Sequence, residues 1–205
     1  MKWKDMVNPM QMDVLKEIGN IGAGNAATSL STMISKEVEI DVPTVKLVDL
    51  SELYEYLKNP EEIVASTIVG IKGEAPGKML MNFDSDSTKH LIELLTGERP
   101  EDLTNMNEME RSVVSEIGNI ICSTYVISLS NFTSLFLETE VPILLVDMFA
   151  AIISETSIMA SKDYDDVLMI ETILKVHNGQ KLNGFLTMFP EPGSLDVIFK
   201  KLGLS

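Results

Sequence analysis

The sequence predicts an α+β fold: a pseudo-two-fold tandem duplication of an α-β-β-α type half, with two motif-bearing helices exposed and antiparallel sheets paired between the halves. Three observations lead there. Glu17-Ile18-Gly19-Asn20-Ile21 returns as Glu116-Ile117-Gly118-Asn119-Ile120, an offset of 99 residues. Its surroundings return too: Asp13 and Ser112 stand four residues before the glutamates, and Pro43 and Pro142, each after a valine, stand 23 residues after the asparagines. Further on, Gly77–Phe83 resembles Gly184–Phe189 and Leu91–Gly97 resembles Val197–Gly203, at an offset of 106 or 107. Features repeated in order mark a duplicated structural unit. The expected organisation is one domain over residues 1–205, with a first repeat at about 10–97, a linker at 98–107 and a second repeat at about 108–203. The polar stretch Ser161 to Asp166 is the natural place for the residues that lengthen the second half.

Each half reads alike. A helix carries the Glu-Ile-Gly-Asn motif, and in the first half extended chain follows the proline from Val45 to Leu50. Runs rich in β-branched and apolar residues then predict strands at Ile63–Ile71 and Lys78–Phe83. Asp84-Ser85-Asp86 lacks the glycine and glutamate of a calcium loop and reads as a helix start. That helix runs from about Ser85 to Leu95, with Gly97 as its C-cap. The second half supplies strands at Val167–Val176 and Leu182–Phe189, a hairpin turn at His177-Asn178-Gly179-Gln180 and a helix at Ser194–Leu202. Leu144–Glu155 has helical periodicity, with Val146, Phe149, Ala150 and Ile153 on one face. Either half alone could bury little, whereas pairing through the sheets covers both apolar faces.

Composition narrows the function. The chain is 45% apolar, enough to fill a core, and its net charge of −15 repels nucleic acid and anionic lipid surfaces. A single cysteine, Cys122, allows no internal disulfide and reads as a small core residue. Met1 to Asn8 lacks the apolar stretch of a signal peptide, and apolar runs such as Val141–Ile153 are short and interrupted. A cytoplasmic protein, monomeric by virtue of its internal duplication, is expected.

On a helix, residues three and four apart share a face, so Asp13, Glu17 and Asn20 align, as do Ser112, Glu116 and Asn119. The expected core faces are Val14, Ile18 and Ile21, and Val113, Ile117 and Ile120, which turns the polar triplets outward. Gly19 and Gly118 each cost about 1 kcal/mol relative to alanine in a helix. They admit close approach, either by another helix of this chain or by a partner. An asparagine amide takes up no proton near neutral pH but orients water, accepting through oxygen and donating through nitrogen. A glutamate beside it can activate water or pair with a basic partner. Phosphoryl transfer, where catalysis is mostly positioning and electrostatics, suits such a pair.

Other signals carry less. Gly22-Ala23-Gly24-Asn25-Ala26-Ala27 matches a dinucleotide fingerprint, but that motif needs a strand before it and this one follows helical sequence. His90 and His177 lack ligand-like neighbours, so no metal site is expected. Asn131-Phe132-Thr133 has the pattern of a glycosylation acceptor, which has no use in the cytoplasm. The 13 methionines read as core filling.

The pattern Asp/Ser-x3-Glu-x2-Asn-x22-Pro resembles the signature of the CheC/CheX/FliY phosphatases of bacterial chemotaxis, and it occurs here twice over nearly the whole chain. The two-copy arrangement is similar to the CheC branch of that family. The resemblance implies a hydrolase that dephosphorylates the aspartyl phosphate of CheY, a response regulator. It implies that Asn20 and Asn119 orient the attacking water and that Glu17 and Glu116 pair with the regulator's lysine. Asp13 and Ser112 would support the motif helix or the contact, and Pro43 and Pro142 would fix the chain beyond it. No cofactor of its own is implied, since Mg²⁺ comes with the regulator. Family members also bind CheD, a receptor deamidase, and that contact is expected after Pro142, around Asp147. The alternative is a weakly catalytic or non-catalytic docking module for CheY-phosphate or CheD. The first copy continues Gly22-Ala23-Gly24-Asn25 and the second Ile121-Cys122-Ser123-Thr124, so the two sites are not expected to be equivalent.

Overall fold

A computed structural model describes residues 7–49, 52, 59, 61–160, 166–176 and 180–204. Residues 177–179 of the expected hairpin turn and 161–165 of the expected extra loop lie outside the described residues.

The first helix, α1 (Pro9–Ile34), starts where local chemistry allows little else. Asn8 Oδ1 accepts from the Gln11 amide at 3.0 Å, and Gln11 Oε1 accepts from the Asn8 amide at 2.8 Å. This reciprocal capping satisfies two donors that a helix start leaves open, and Pro9 has no amide hydrogen to lose. The same device recurs 99 residues on, where Asn107 and Glu110 cap the helix Glu108–Thr133 with bonds of 3.0 and 2.7 Å. Both helices end on a serine with φ 55°, Ser35 and Ser134, so the repeat extends to the backbone.

After α1 come strands β1 (Val38–Asp41), β2 (Val45–Asp49), β3 (Ile63–Gly73) and β4 (Gly77–Phe83), then helix α2 (Ser85–Thr96). Asp84 caps α2 by accepting from the Ser87 amide at 2.7 Å, and Gly97, at φ 81°, ends it, both as expected. A 3₁₀ turn at Leu103–Asn105 leads into α3 (Glu108–Thr133), its Leu103 and Met106 buried in the core. The second half continues with β5 (Leu137–Thr139), β6 (Ile143–Met148), α4 (Phe149–Ala160), β7 (Asp166–Val176), β8 (Gln180–Pro190) and α5 (Ser194–Lys201).

The eight strands form one antiparallel sheet whose central path is β1-β7-β8-β4-β3-β5. At its middle β4 pairs with β8, from Gly77 opposite Pro190 to Phe83 opposite Gly184, joining the halves as expected. The outer strands cross between halves. β1 and β2 pair with β7 of the second half, and β5 and β6 pair with β3 of the first. Each half thus completes the other's sheet.

Side chains alternate across this sheet as the pleat requires. Ala65, Val69 and Ile71 of β3 join the larger core with α1, α2, α3 and α5, while Val64 and Ile68 join a smaller core under α4. There Phe149 and Phe185 meet edge to face, with centroids 5.3 Å apart. Helix α3 is long and apolar enough by composition to cross a membrane, which the sequence reading missed; more than half of that stretch is buried inside the molecule.

One expected helix is corrected. Leu144–Glu155 divides at Phe149: Ile143–Met148 is strand, paired with β3 from Ile68 opposite Ile143 to Ile63 opposite Met148, and only Phe149 onward is helix. A continuous apolar run has no decisive period, and the open edge of β3 claims it as a strand.

Candidate active site

Each long helix turns one sector into the fold and one outward. On α1 the buried sector holds Leu15, Ile18, Gly19, Gly22, Ala23 and Ala26. On α3 it holds Val113, Val114, Ile117, Gly118, Ile121 and Cys122. The expected core faces were therefore off by part of a turn. Ile21 is 37% exposed, and Ile120 is only half-buried. The helices pack against each other as well as on the sheet, which draws the small residues inward and leaves these two isoleucines on the flank, a turn from Glu17 and Glu116.

The outward sector carries the motif. Asp13, Glu17 and Asn20 are exposed on α1, and Ser112 and Glu116 are exposed on α3, where Asn119 is half-buried. Among the described residues neither glutamate has an ion-pair partner, and both carboxylates are exposed. The same stripe begins with a methionine in both copies: Met10 is 63% exposed and Met109 is 66% exposed. Reading all the methionines as core filling missed them, although their 99-residue spacing was visible in the chain.

The glycines behind the motif serve internal packing. A Cβ at Gly22 would sit 2.8 Å from the Tyr125 ring, and one at Gly118 would overlap the Thr67 side chain on β3. Gly19 is less constrained, since a Cβ there would meet Val45 at 3.5 Å and Val42 at 3.8 Å. Those two valines flank exposed Pro43, so the β1–β2 connection lies against the first motif helix. Gly22–Ala27 lies inside α1 and is preceded by helix from Pro9 onward, which removes the context of a dinucleotide turn.

The two sites differ in detail. Beside Glu116 lies an open depression of about 390 Å³ lined by Arg111, Ser112, Ser115, Glu116 and Leu144. Met12, Asp13 and Lys16 occupy the positions equivalent to Arg111, Ser112 and Ser115 in the first copy. Ser123 Oγ donates to Asn119 Oδ1 at 3.2 Å, whereas Gly24 stands at the equivalent position beyond Asn20.

These outward Glu/Asn stripes coincide with what the chain shares with known proteins. The sequence profile of the CheC-like family matches residues 10–47 and 109–146, covering each motif helix and the proline beyond it. The CheY-P phosphatase CheC of Bacillus subtilis (strain 168) is 31% identical over 198 residues, which is 95% of either chain. The chain belongs to the CheC-like family. The flagellar motor switch phosphatase FliY of the same organism is 27% identical over 138 residues, 67% of this chain and 36% of that one. Thermotoga maritima FliY, 19% identical, shares the fold with a TM-score of 0.78 over 97% of this chain and 99% of that one.

The remaining expected site residues fall elsewhere in this CheC-like fold. Pro142 is half-buried just before β6. Asp147 is exposed on β6 rather than on a helix, and its Oδ1 accepts from the Met148 amide at 2.7 Å. Cys122 is wholly buried on the inner face of α3, where desolvation pushes its thiol up to about 12. His90 lies within 3.3 Å of Glu93 on α2, and no group of three or more metal-ligating side chains occurs among the described residues.

Proposed function

We propose that this chain is a phosphatase that hydrolyses the aspartyl phosphate of phosphorylated CheY, through two sites of the same design. The observation that carries the reading is the recurrence of one outward stripe, Asp13-Glu17-Asn20 and Ser112-Glu116-Asn119, on two helices capped and terminated alike. An acyl phosphate is already labile, so a catalyst that positions water and excludes wrong geometries is sufficient. In this reading the Asn20 or Asn119 amide enters the regulator's site and holds the water in line with the phosphorus. The exposed Glu17 or Glu116 carboxylate meets the regulator's lysine, and the regulator brings its own Mg²⁺. Asp13 and Ser112 border the contact at the next turn, while Pro43 and Pro142 hold the chain after the motif helix. The enzyme works in the cytoplasm as a monomer.

The exposed end of β6, where Asp147 and Met148 stand, is proposed to meet CheD. Asp147→Lys is then expected to abolish CheD capture while leaving the decay of phosphorylated CheY unchanged; retained capture would refute that placement.

The principal experiment follows phosphate release from phosphorylated CheY with Mg²⁺ present. Asn20→Ala and Asn119→Ala should each remove part of the acceleration, and the double variant should decay at the regulator's own rate. A double variant as fast as wild type would sink the water-positioning role. Wild type that binds the regulator without accelerating decay, even with CheD added, would leave the docking role in its place.

A further inference from the structure

We propose that Ser123 is a positioning residue for the second site: its hydroxyl fixes the orientation of the Asn119 amide, and the first site lacks this device because Gly24 stands there. The inference rests on the phosphatase reading above and concerns how the second asparagine is prepared for it.

The behaviour of six other hydroxyls in the two helices sets Ser123 apart. Thr28, Ser29, Thr32, Thr124, Ser128 and Thr133 each donate to the backbone carbonyl four residues back, the usual refuge of a hydroxyl inside a helix. Ser123 instead reaches the side chain four residues back, donating to Asn119 Oδ1 at 3.2 Å. An asparagine amide can rotate about its last torsion and exchange oxygen for nitrogen with little intrinsic preference. The contact with Ser123 restrains that rotation. With the hydroxyl donating, the oxygen faces Ser123 with a second lone pair still free, and Nδ2 is presented away from it. Asn119 is also half-buried where Asn20 is exposed, so fewer alternative rotamers remain open to it. Holding a water-positioning group in one orientation before the substrate arrives lowers the cost of reaching the reactive geometry.

The first site offers the converse experiment. A Cβ at Gly24 meets no atom within 4 Å, so a serine fits there without displacing anything. Substituting glycine within a helix also adds no strain.

The test uses single-site proteins and steady-state hydrolysis of phosphorylated CheY. With Asn20→Ala silencing the first site, Ser123→Ala should lower kcat about five-fold, the scale of one hydrogen bond, with KM unchanged. Ser123→Thr, which keeps the hydroxyl, should restore most of the loss. With Asn119→Ala silencing the second site, Gly24→Ser should raise kcat by a similar factor. The inference is overturned if Ser123→Ala and Gly24→Ser both leave kcat unmoved while the asparagine variants still remove activity. It is overturned likewise if Ser123→Thr is as impaired as Ser123→Ala. If the asparagine substitutions themselves change nothing, the phosphatase reading falls and takes this inference with it, a pattern distinct from the other two.

Discussion

The ring of Tyr125 on α3 lies against the bare backbone of Gly22 on α1, so close that a Cβ at Gly22 would stand 2.8 Å from two of its carbons. Near that contact Asn25 Nδ2 donates to Ser128 Oγ at 3.0 Å. The two motif helices are thereby locked to each other on one side of the sheet, and each keeps its opposite side for the Glu/Asn stripe.

That lock predicts opposite outcomes for two neighbouring glycines. Gly22→Ala should destabilise the protein by about 1–3 kcal/mol, because the new Cβ would stand 2.8 Å from the buried Tyr125 ring and force it to shift. Gly24→Ala meets nothing and should be neutral or stabilising by up to about 1 kcal/mol, through helix propensity alone. Urea unfolding of both variants checks this, and a Gly22→Ala protein as stable as wild type would show that the ring adjusts.

The matched caps predict matched losses. Asn8→Ala and Asn107→Ala each remove an acceptor from a capping box and should each cost about 1 kcal/mol. Denaturant midpoints should fall without a change in slope, since neither cap contributes to compactness.

Regulator binding should depend on the exposed methionines. Met10→Ser and Met109→Ser remove apolar contacts one turn before Asp13 and Ser112, and each should weaken affinity for phosphorylated CheY several-fold. The fold should stay within about 0.5 kcal/mol of wild type, because both side chains are exposed. Titration calorimetry with a stabilised phospho-mimic of the regulator reads the affinity, and unchanged binding would place the contact nearer Glu17 and Glu116.

Cys122 should be silent in the native protein. Its unfolded thiol ionises near 9.0 and the folded one only near about 12, because burial disfavours the thiolate. The unfolded state therefore loses its proton first as pH rises. The contribution of this residue to stability is complete below about pH 9 and is lost between there and about 12. A disulfide-exchange reagent at pH 8 should find no reactive thiol in the folded protein and one in urea.

Much of this was legible in the chain. The duplicated motif, the strands of the two central hairpins and the caps of α2 follow from spacing, β-branched runs and turn chemistry that act locally. Asn8 with Gln11 and Asn107 with Glu110 were equally visible, since a capping box is a short-range pattern. Ile21 and Ile120 were misassigned because periodicity locates an apolar sector only roughly, and the second helix packed alongside decides which edge of that sector is covered. Met10 and Met109 were lost to a rule about residue type that ignored their shared position.

What the sequence determined by itself was that one Glu/Asn stripe occurs twice and must share a helical face, because 3.6 residues per turn bring positions three and four apart into line. The tertiary structure decided which strand completes which half. β1 and β2 lie along β7, β5 and β6 lie along β3, and Ile143–Met148 is strand rather than helix only because the edge of β3 is open to it. Strand pairing joins residues about a hundred positions apart, and no local propensity records which distant edge is free. The same holds for the hydroxyl of Ser123: sequence placed it a turn beyond Asn119, and only the folded helix shows it donating to the amide rather than to the backbone.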